Sequence, residues 1–200
     1  MEAIALESGF AAPVFGAQTA FRALMDGLAN PGQPQPLGDG LTPHAGLMPE
    51  LAAVALTLCD HDTALWLDPA LAGSEALVAW LRFHTAAPVT TDPARAQFAL
   101  VLNPADLPAL DRFALGSDEY PDRSTTVAIA VPAFDGGAPL TLRGPGIKGT
   151  RTIAPVGLPD DFVAQWTANR ALFPRGVDLL LVVAGQVIGL PRSTRIAMEG

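Results

Sequence analysis

The sequence predicts an α/β fold, with helices packed on one mixed sheet in a single domain. Helical and strand patterns alternate over residues 15–102, whereas short strand patterns dominate after residue 124. No repeat, low-complexity tract or sharp change in composition divides the 200 residues. We therefore expect one domain over residues 1–200, in which a few antiparallel hairpins complete the sheet.

The first predicted element is a helix over residues 15–30. Phe21, Leu24 and Leu28 recur at spacings of three and four, which places them on one face of a helix. Pro31 and the glycine that follows it end the helical pattern. The three apolar side chains therefore form one stripe of this helix.

Helices and strands continue to alternate as far as residue 102. The proline-rich region at 104–122 is predicted to contain a short helix and loop. Leu77, Trp80 and Leu81 share one face of a helical segment and are expected to face the core. The predicted elements are a helix at 46–58, a strand at 64–67, a helix at 74–83 and a strand at 97–102.

Strand patterns dominate the second half of the chain. Val127, Ile129 and Val131 alternate with small or polar residues, which is the period of a half-buried strand. The further predicted elements are two short strands on either side of residues 144–149, a helix at 159–172, and a terminal hairpin formed by 179–183 and 187–190.

The composition excludes several classes of protein. Half of the residues are hydrophobic and 16% are charged, which predicts a folded protein with apolar surface for partner subunits. The net charge of −8, from 20 acidic and 12 basic residues, repels nucleic acid. The longest apolar run, 179–185, is far shorter than the ~18 residues of a membrane span, and no basic and apolar leader opens the sequence. We expect a cytoplasmic protein with neither a membrane nor a nucleic-acid partner.

A single cysteine, Cys59, excludes an intramolecular disulfide, a cysteine-based zinc site and an iron–sulfur cluster within the chain. It begins the sequence Cys-Asp-His-Asp at 59–62. Four successive side chains diverge, so a metal there would need His44 or His84 as well. We interpret the two aspartates as turn formers and Cys59 as a small buried apolar residue, and predict no metal site.

Residues 144–149 read G-x-G-x-x-G, the pattern of dinucleotide-binding loops. In such loops the glycines lead into a helix whose N-terminus binds the pyrophosphate. Here two threonines, an isoleucine and then Pro155 follow, and a proline excludes a helix through that position. The phosphate-loop pattern fails too, because Lys148 is followed by glycine instead of serine or threonine. The segment therefore predicts a turn between two strands.

Three basic residues, Arg143, Lys148 and Arg151, lie in or beside this turn. Two guanidinium forks and an ammonium group form a candidate anion site, for which the alternative is a solvated basic loop. Lys148 is the only lysine and so the only residue able to form a Schiff base with pyridoxal phosphate (PLP), but nothing around it supports that chemistry. The residues identify no catalytic group and no cofactor.

Six segments, in this order, resemble the PhnH family, the H subunits of the bacterial carbon–phosphorus lyase system for phosphonate utilisation. The resemblance spans residues 13–194, with Ser193 where the family pattern has threonine. The segments are FRALMDGLANPG, LTLCDHDTALWL, LRFHTAAPV, LRGPGI, FPRGVDLLLV and GLPRST.

The resemblance implies a fold akin to the large domain of PLP-dependent transferases, without the cofactor site. It also implies a homodimer within a core complex with G, I and J subunits. That complex forms α-D-ribose 1-methylphosphonate 5-triphosphate from ATP and methylphosphonate, with the chemistry assigned to other subunits.

Three hypotheses follow: an accessory subunit without activity of its own, a phosphate- or nucleotide-binding subunit using Arg143, Lys148 and Arg151, or a PLP-fold transferase. Whether Arg192 or Arg195 contacts a neighbouring subunit stays open, as does the identity of the phosphonates used.

Overall fold

The computed structural model describes residues 9–44 and 46–198. The helices are α1 (Pro13–Ala29), α2 (Pro49–Leu58), α3 (Pro69–Ala72), α4 (Glu75–Thr85) and α5 (Phe162–Ala171). The strands are β1 (Gly9–Phe10), β2 (Gln35–Pro36), β3 (Leu41–Thr42), β4 (Leu65–Leu67), β5 (Val89–Thr90), β6 (Phe98–Val101), β7 (Thr126–Ala130), β8 (Leu140–Arg143), β9 (Arg151–Ile153), β10 (Asp178–Val183), β11 (Gln186–Leu190) and β12 (Arg195–Met198).

A central sheet of seven strands, in the order β2-β11-β10-β7-β6-β4-β5, organises the described residues. Strands β10, β7, β6, β4 and β5 run parallel to one another. Strand β11 returns from β10 as an antiparallel hairpin, and β2 pairs antiparallel with β11 at the edge. The predicted mixed sheet and terminal hairpin are confirmed.

On one side of this sheet, which we call the helical side, α1, α2 and α4 bury a core rich in alanine and leucine. Helix α1 lies directly on β11. A Cβ atom added at Gly189 would lie 2.5 Å from the carbonyl carbon of Gly27 in α1. Two glycines are therefore needed for helix and strand to approach this closely.

On the other side, which we call the strand side, α5 packs with a second small sheet of order β12-β8-β9. Leu142, Ile153 and Ile196 point from that sheet into the core, where they meet Trp166 of α5. The alternation of buried and exposed residues along β8 leaves the opposite face of the small sheet in contact with solvent.

Most predicted elements are present, with differences at their ends. The predicted inner residues of α4 are buried, and residues 104–122 contain two 3₁₀ turns. Of the predicted stripe of α1, Leu24 is fully buried and Leu28 packs partly buried against the core, but Phe21 is 49% exposed. Ala20 and Ala23 take the inner positions instead, because small side chains let α1 approach the sheet closely. Strand β12 and the short helix α3 were not predicted.

Candidate functional site

The glycine-rich turn at 144–149 connects β8 to β9, which pair antiparallel with Leu142 opposite Arg151. The chain leaves this turn as a strand. The turn therefore leads into no helix N-terminus that could bind a pyrophosphate. The predicted connection between two strands is confirmed.

The glycines of the turn serve packing. Gly146 has a φ of +78°, and a Cβ atom there would lie 2.0 Å from the carbonyl oxygen of Ala29 at the end of α1. Gly144 has a φ of +149° and approaches Thr194, whose Cα atom would lie 3.4 Å from an added Cβ. Gly149 has a φ of +77° with nothing nearby. The turn is thus pressed between the end of α1 and the start of β12.

The register of the small sheet separates two of the three predicted anion-binding residues. Arg151 is opposite Leu142, so its side chain lies on the inner face of the sheet. Arg143 is the neighbour of Leu142 along β8 and therefore points to the outer face. The structure does not bring Arg143 and Arg151 together.

The guanidinium of Arg151 is held by the loop that follows α1. Its Nη1 donates to the carbonyl oxygens of Pro31 at 2.5 Å and Asn30 at 3.2 Å, and its Nη2 donates to Oε1 of Gln33 at 3.5 Å. Carbonyl oxygens at the end of a helix carry partial negative charge, which a cation stabilises. Arg151 therefore joins the small sheet to α1, whereas Arg143 and Lys148 are exposed to solvent.

The neighbour of Arg143 on the outer face is Arg195. The two are directly opposite in the antiparallel pair of β8 and β12, and both are exposed. Together with Thr141 and Thr150, they line a concave pocket of about 590 Å³. Sequence reasoning did not place Arg195 here, because β12 carries no strong strand pattern and pairs with a segment far earlier in the chain.

Arg192 lies in a partly buried polar cluster, with 14% of its side chain exposed. Its Nε donates to Asp178 Oδ1 at 3.0 Å and Oδ2 at 3.2 Å, and its Nη2 also donates to that carboxylate. Nη1 donates to the carbonyl oxygen of Pro121 at 2.8 Å, and Nη2 to Ser124 Oγ at 2.6 Å. This arginine thus ties the end of β11 to β10 and to the loop before β7.

The Cys-Asp-His-Asp segment forms a turn, as predicted. The amide of Asp62 donates to Oδ1 of Asp60 at 3.0 Å, and the amide of Asp60 donates to Thr63 Oγ1 at 2.7 Å. Cys59 is buried, and burial together with the charge of Asp60 raises the pKa of its thiol to about 12. Across residues 9–44 and 46–198, no three histidine, cysteine or acidic side chains are grouped as a metal site requires.

His84, one of the two histidines considered as further metal ligands, lies in the last turn of α4. The ring of His84 is 4.6 Å from that of Trp80 and 5.1 Å from that of Phe83, measured between centroids. His44 is 6.4 Å from Trp80. The imidazoles are therefore packed against aromatic rings, on the helical side of the sheet.

The outward face of α1 is a second candidate surface. Val14, Phe15, Phe21 and Met25 are 67%, 74%, 49% and 38% exposed, and we call these four residues the α1 outer face. A helix that is apolar on both faces is typical of one packed on both sides. Among the described helices, none is long and apolar enough to cross a bilayer.

Comparison with known proteins assigns the family. The family pattern described as bacterial phosphonate metabolism protein (PhnH) matches residues 8–197. The chain is 52% identical over 190 residues to alpha-D-ribose 1-methylphosphonate 5-triphosphate synthase subunit PhnH of Rhizobium meliloti (strain 1021), covering 95% of this chain and 94% of that protein.

A second relative is HtxG of Stutzerimonas stutzeri, a protein named for a C-P lyase. It is 36% identical over 183 residues, covering 92% of this chain and 87% of HtxG. The family match at residues 8–197 contains every element from α1 to β11. This chain belongs to the PhnH family of bacterial phosphonate metabolism proteins.

Proposed function

We propose that this chain is the PhnH subunit of a carbon–phosphorus lyase complex for phosphonate utilisation, and that it acts through assembly. Its relative of 52% identity is named as a subunit of a ribose 1-methylphosphonate 5-triphosphate synthase. The proposed role is accessory: the chain supplies contact surface to the complex, and other subunits carry out the reaction.

The α1 outer face is the observation that carries this proposal. Val14, Phe21 and Met25 follow one another at spacings of seven and four, so they form one stripe along the helix. Phe15 lies beside that stripe and is 74% exposed. Soluble monomers rarely leave a continuous patch of large apolar side chains in water, and a partner subunit would cover it.

The residues with nucleophilic potential support the same conclusion. The raised pKa of the Cys59 thiol, about 12, keeps it protonated at neutral pH, and the protonated form is a poor nucleophile. Lys148 lies exposed in a turn. Neither group is placed as an activated nucleophile in a cleft.

We further infer a fold akin to the large domain of PLP-dependent transferases, without its cofactor. The mixed central sheet covered on both sides supports that kinship. Lys148 lies in a hairpin of the small sheet, away from the central strands. Incubation with PLP should therefore leave the protein without an absorbing Lys148 adduct, and the appearance of one would favour a transferase instead.

The partners proposed are a second copy of this chain and the G, I and J subunits of the complex, in the cytoplasm. The test is co-expression of the tagged chain with those three subunits, followed by affinity purification and sizing. The wild-type chain should retain all three partners, and alone it should elute as a dimer at micromolar concentration. A strict monomer that captures no partner would contradict the proposal.

A second candidate function, expected from the sequence for Arg143, Lys148 and Arg151, is binding of a phosphate or nucleotide by the two of them that are exposed. The exposure of Arg143 and Lys148 on one hairpin favours it, while the side chain of Arg151 supports that hairpin from behind. Titration of ATP and methylphosphonate into the isolated chain and into Lys148→Ala tests this set. Salt-sensitive binding that Lys148→Ala abolishes would support it.

A further inference from the structure

We propose that Arg143 and Arg195 together bind the terminal phosphoryl or phosphonyl group of a small molecule on the outer face of the small sheet. This site differs from the loop of three basic residues. It replaces Arg151, which is bound to the backbone, with Arg195 from β12. The inference does not depend on the proposed role in assembly, since it concerns the isolated chain.

The two arginines are brought together by strand pairing. Arg195 is the direct partner of Arg143 across β12 and β8, and Ala197 is the partner of Thr141. Directly opposite residues in an antiparallel pair point to the same face, with Cβ atoms about 4.5–5.5 Å apart. Ile196 and Leu142, one position along, are buried in the opposite direction. Both guanidinium groups therefore extend from one patch of the outer face.

This pairing is unfavourable unless an anion is present. Like charges directly opposite in a sheet destabilise it. In the described part of the chain, neither Arg143 nor Arg195 has an ion-pair or hydrogen-bond partner for its guanidinium. Arg192, Arg175 and Arg151 by contrast all have partners, which are carboxylates for the first two and carbonyl oxygens for the third. The pair is a concentration of positive charge in a chain of net charge −8.

The surroundings suit an oxyanion. Of the described residues that line the pocket of about 590 Å³, none is acidic. Thr150 contributes a hydroxyl group, which can hydrogen-bond a phosphate oxygen, and Ala197 and Met198 give the pocket an apolar wall. A site of this volume accommodates more than a single phosphate ion, so the anionic group can be one end of a larger ligand.

The ligand class follows from the geometry of the cations. A guanidinium donates two parallel hydrogen bonds to two oxygens of a phosphate. A tetrahedral group with three terminal oxygens and a charge near −2 can satisfy two such forks, whereas a carboxylate would neutralise only one. A phosphate ester and a phosphonate present the same three oxygens, so both belong to the class.

Calorimetric titration of the full chain tests the site, using inorganic phosphate, methylphosphonate and tripolyphosphate as separate probes. We expect at least one probe to bind, and to bind more weakly at high salt. The probe with the highest affinity shows whether the site prefers a phosphate, a phosphonate or a polyphosphate. Arg143→Gln and Arg195→Gln should each weaken that binding about ten-fold or more, because charge-assisted hydrogen bonds are lost. Arg95→Gln, the same change on an exposed arginine near β5, should leave it unchanged.

Thermal unfolding gives a second measurement that does not require a ligand. Without anion, Arg195→Gln should melt about 1–3 °C higher than the wild type, because it removes like-charge repulsion. A lower melting temperature would show that Arg195 has a structural role and would overturn the proposal. Failure of all three probes to bind, or equal affinities in Arg195→Gln and Arg95→Gln, would overturn it too.

Discussion

On the helical side of the central sheet, α1 packs through alanine and leucine, whereas on the strand side α5 is also held by hydrogen bonds from its buried side chains. On the strand side, the indole Nε1 of Trp166 donates to the carbonyl oxygen of Thr194 at 2.9 Å. Asn169 and Val177 exchange two hydrogen bonds of 2.8 and 3.0 Å. Elsewhere on the helical side, buried Glu50 of α2 accepts from the Gly185 amide at 2.6 Å, and buried Asp68 accepts from the Leu102 amide at 2.7 Å.

The difference matters for function because the two kinds of contact do different things. Apolar packing is not directional, and a helix that is apolar on both faces can bind the sheet on one side and a partner on the other. Hydrogen bonds are directional and fix strand positions. The strand side is therefore suited to holding Arg143 and Arg195 at a fixed separation, and the helical side to docking.

The largest effect is expected on the strand side, from Arg192→Leu. Removal of the guanidinium leaves the Asp178 carboxylate, only 19% exposed, without its counter-charge, so the free energy of unfolding should fall by about 3–5 kcal/mol. Urea denaturation measures it. The matched control is Arg175→Leu, whose partner Asp118 is 83% exposed; it should cost no more than about 1 kcal/mol. Equal costs would remove the distinction between buried and exposed pairs.

The next prediction concerns the contact between the two sides, at the end of α1. Gly146→Ala should lower the free energy of unfolding by about 2–4 kcal/mol, because it adds a clash with the Ala29 carbonyl to the strain of a left-handed residue. Gly149→Ala shares that conformation but meets nothing within 4 Å, so its cost should be about 1–2 kcal/mol. Similar values for the two would show that the turn moves freely away from α1.

A smaller effect on stability is expected on the helical side, from the titration of the buried Cys59 thiol. Since the pKa of Cys59 is raised to about 12, the folded chain keeps a proton that the unfolded chain loses above its ordinary value near 9. The stabilisation is complete below pH 9 and is lost as the pH rises towards 12, with a slope approaching about 1.4 kcal/mol per pH unit.

Urea denaturation at pH 8 and pH 10 measures this loss. Cys59→Ala should lose less stability over that interval than the wild type, and the difference between the two proteins isolates the thiol from other groups that titrate there. A thiol-specific reagent at pH 8 should modify the wild type only after unfolding. Rapid modification of the folded protein would contradict the burial of Cys59.

The smallest effect on stability is expected on the α1 outer face. The double variant Phe15→Glu, Phe21→Glu should change the free energy of unfolding by about 0.5 kcal/mol or less, because both side chains face solvent. It should nevertheless lose dimer formation or capture of the partner subunits in sizing and affinity purification. Phe83→Glu, on the 62% exposed Phe83 of α4, is the matched control and should keep them. Retention of every partner by the double variant would exclude this face as the interface.

Local patterns were sufficient for most of the secondary structure. Pro155 excluded a helix after the glycine-rich turn, and α4 showed a single apolar face that proved to be buried. Helix α1 was located correctly, but only part of its predicted stripe is buried, because the helix carries apolar side chains on two faces and periodicity does not say which of them meets the sheet. The close approach of Gly27 to Gly189 decides that, and this contact joins distant segments.

The sequence by itself determined the α/β class, the hairpin at 144–149 and the family, because each depends on neighbouring residues or on the order of segments. It named Arg143 and Arg151 as equivalent candidates. Only the tertiary structure decided that Arg151 supports the end of α1, that Arg192 pairs with Asp178, and that Arg195 lies beside Arg143. The physical reason is strand register: side chains alternate between faces, so a shift of one position moves a charge from solvent to the interior.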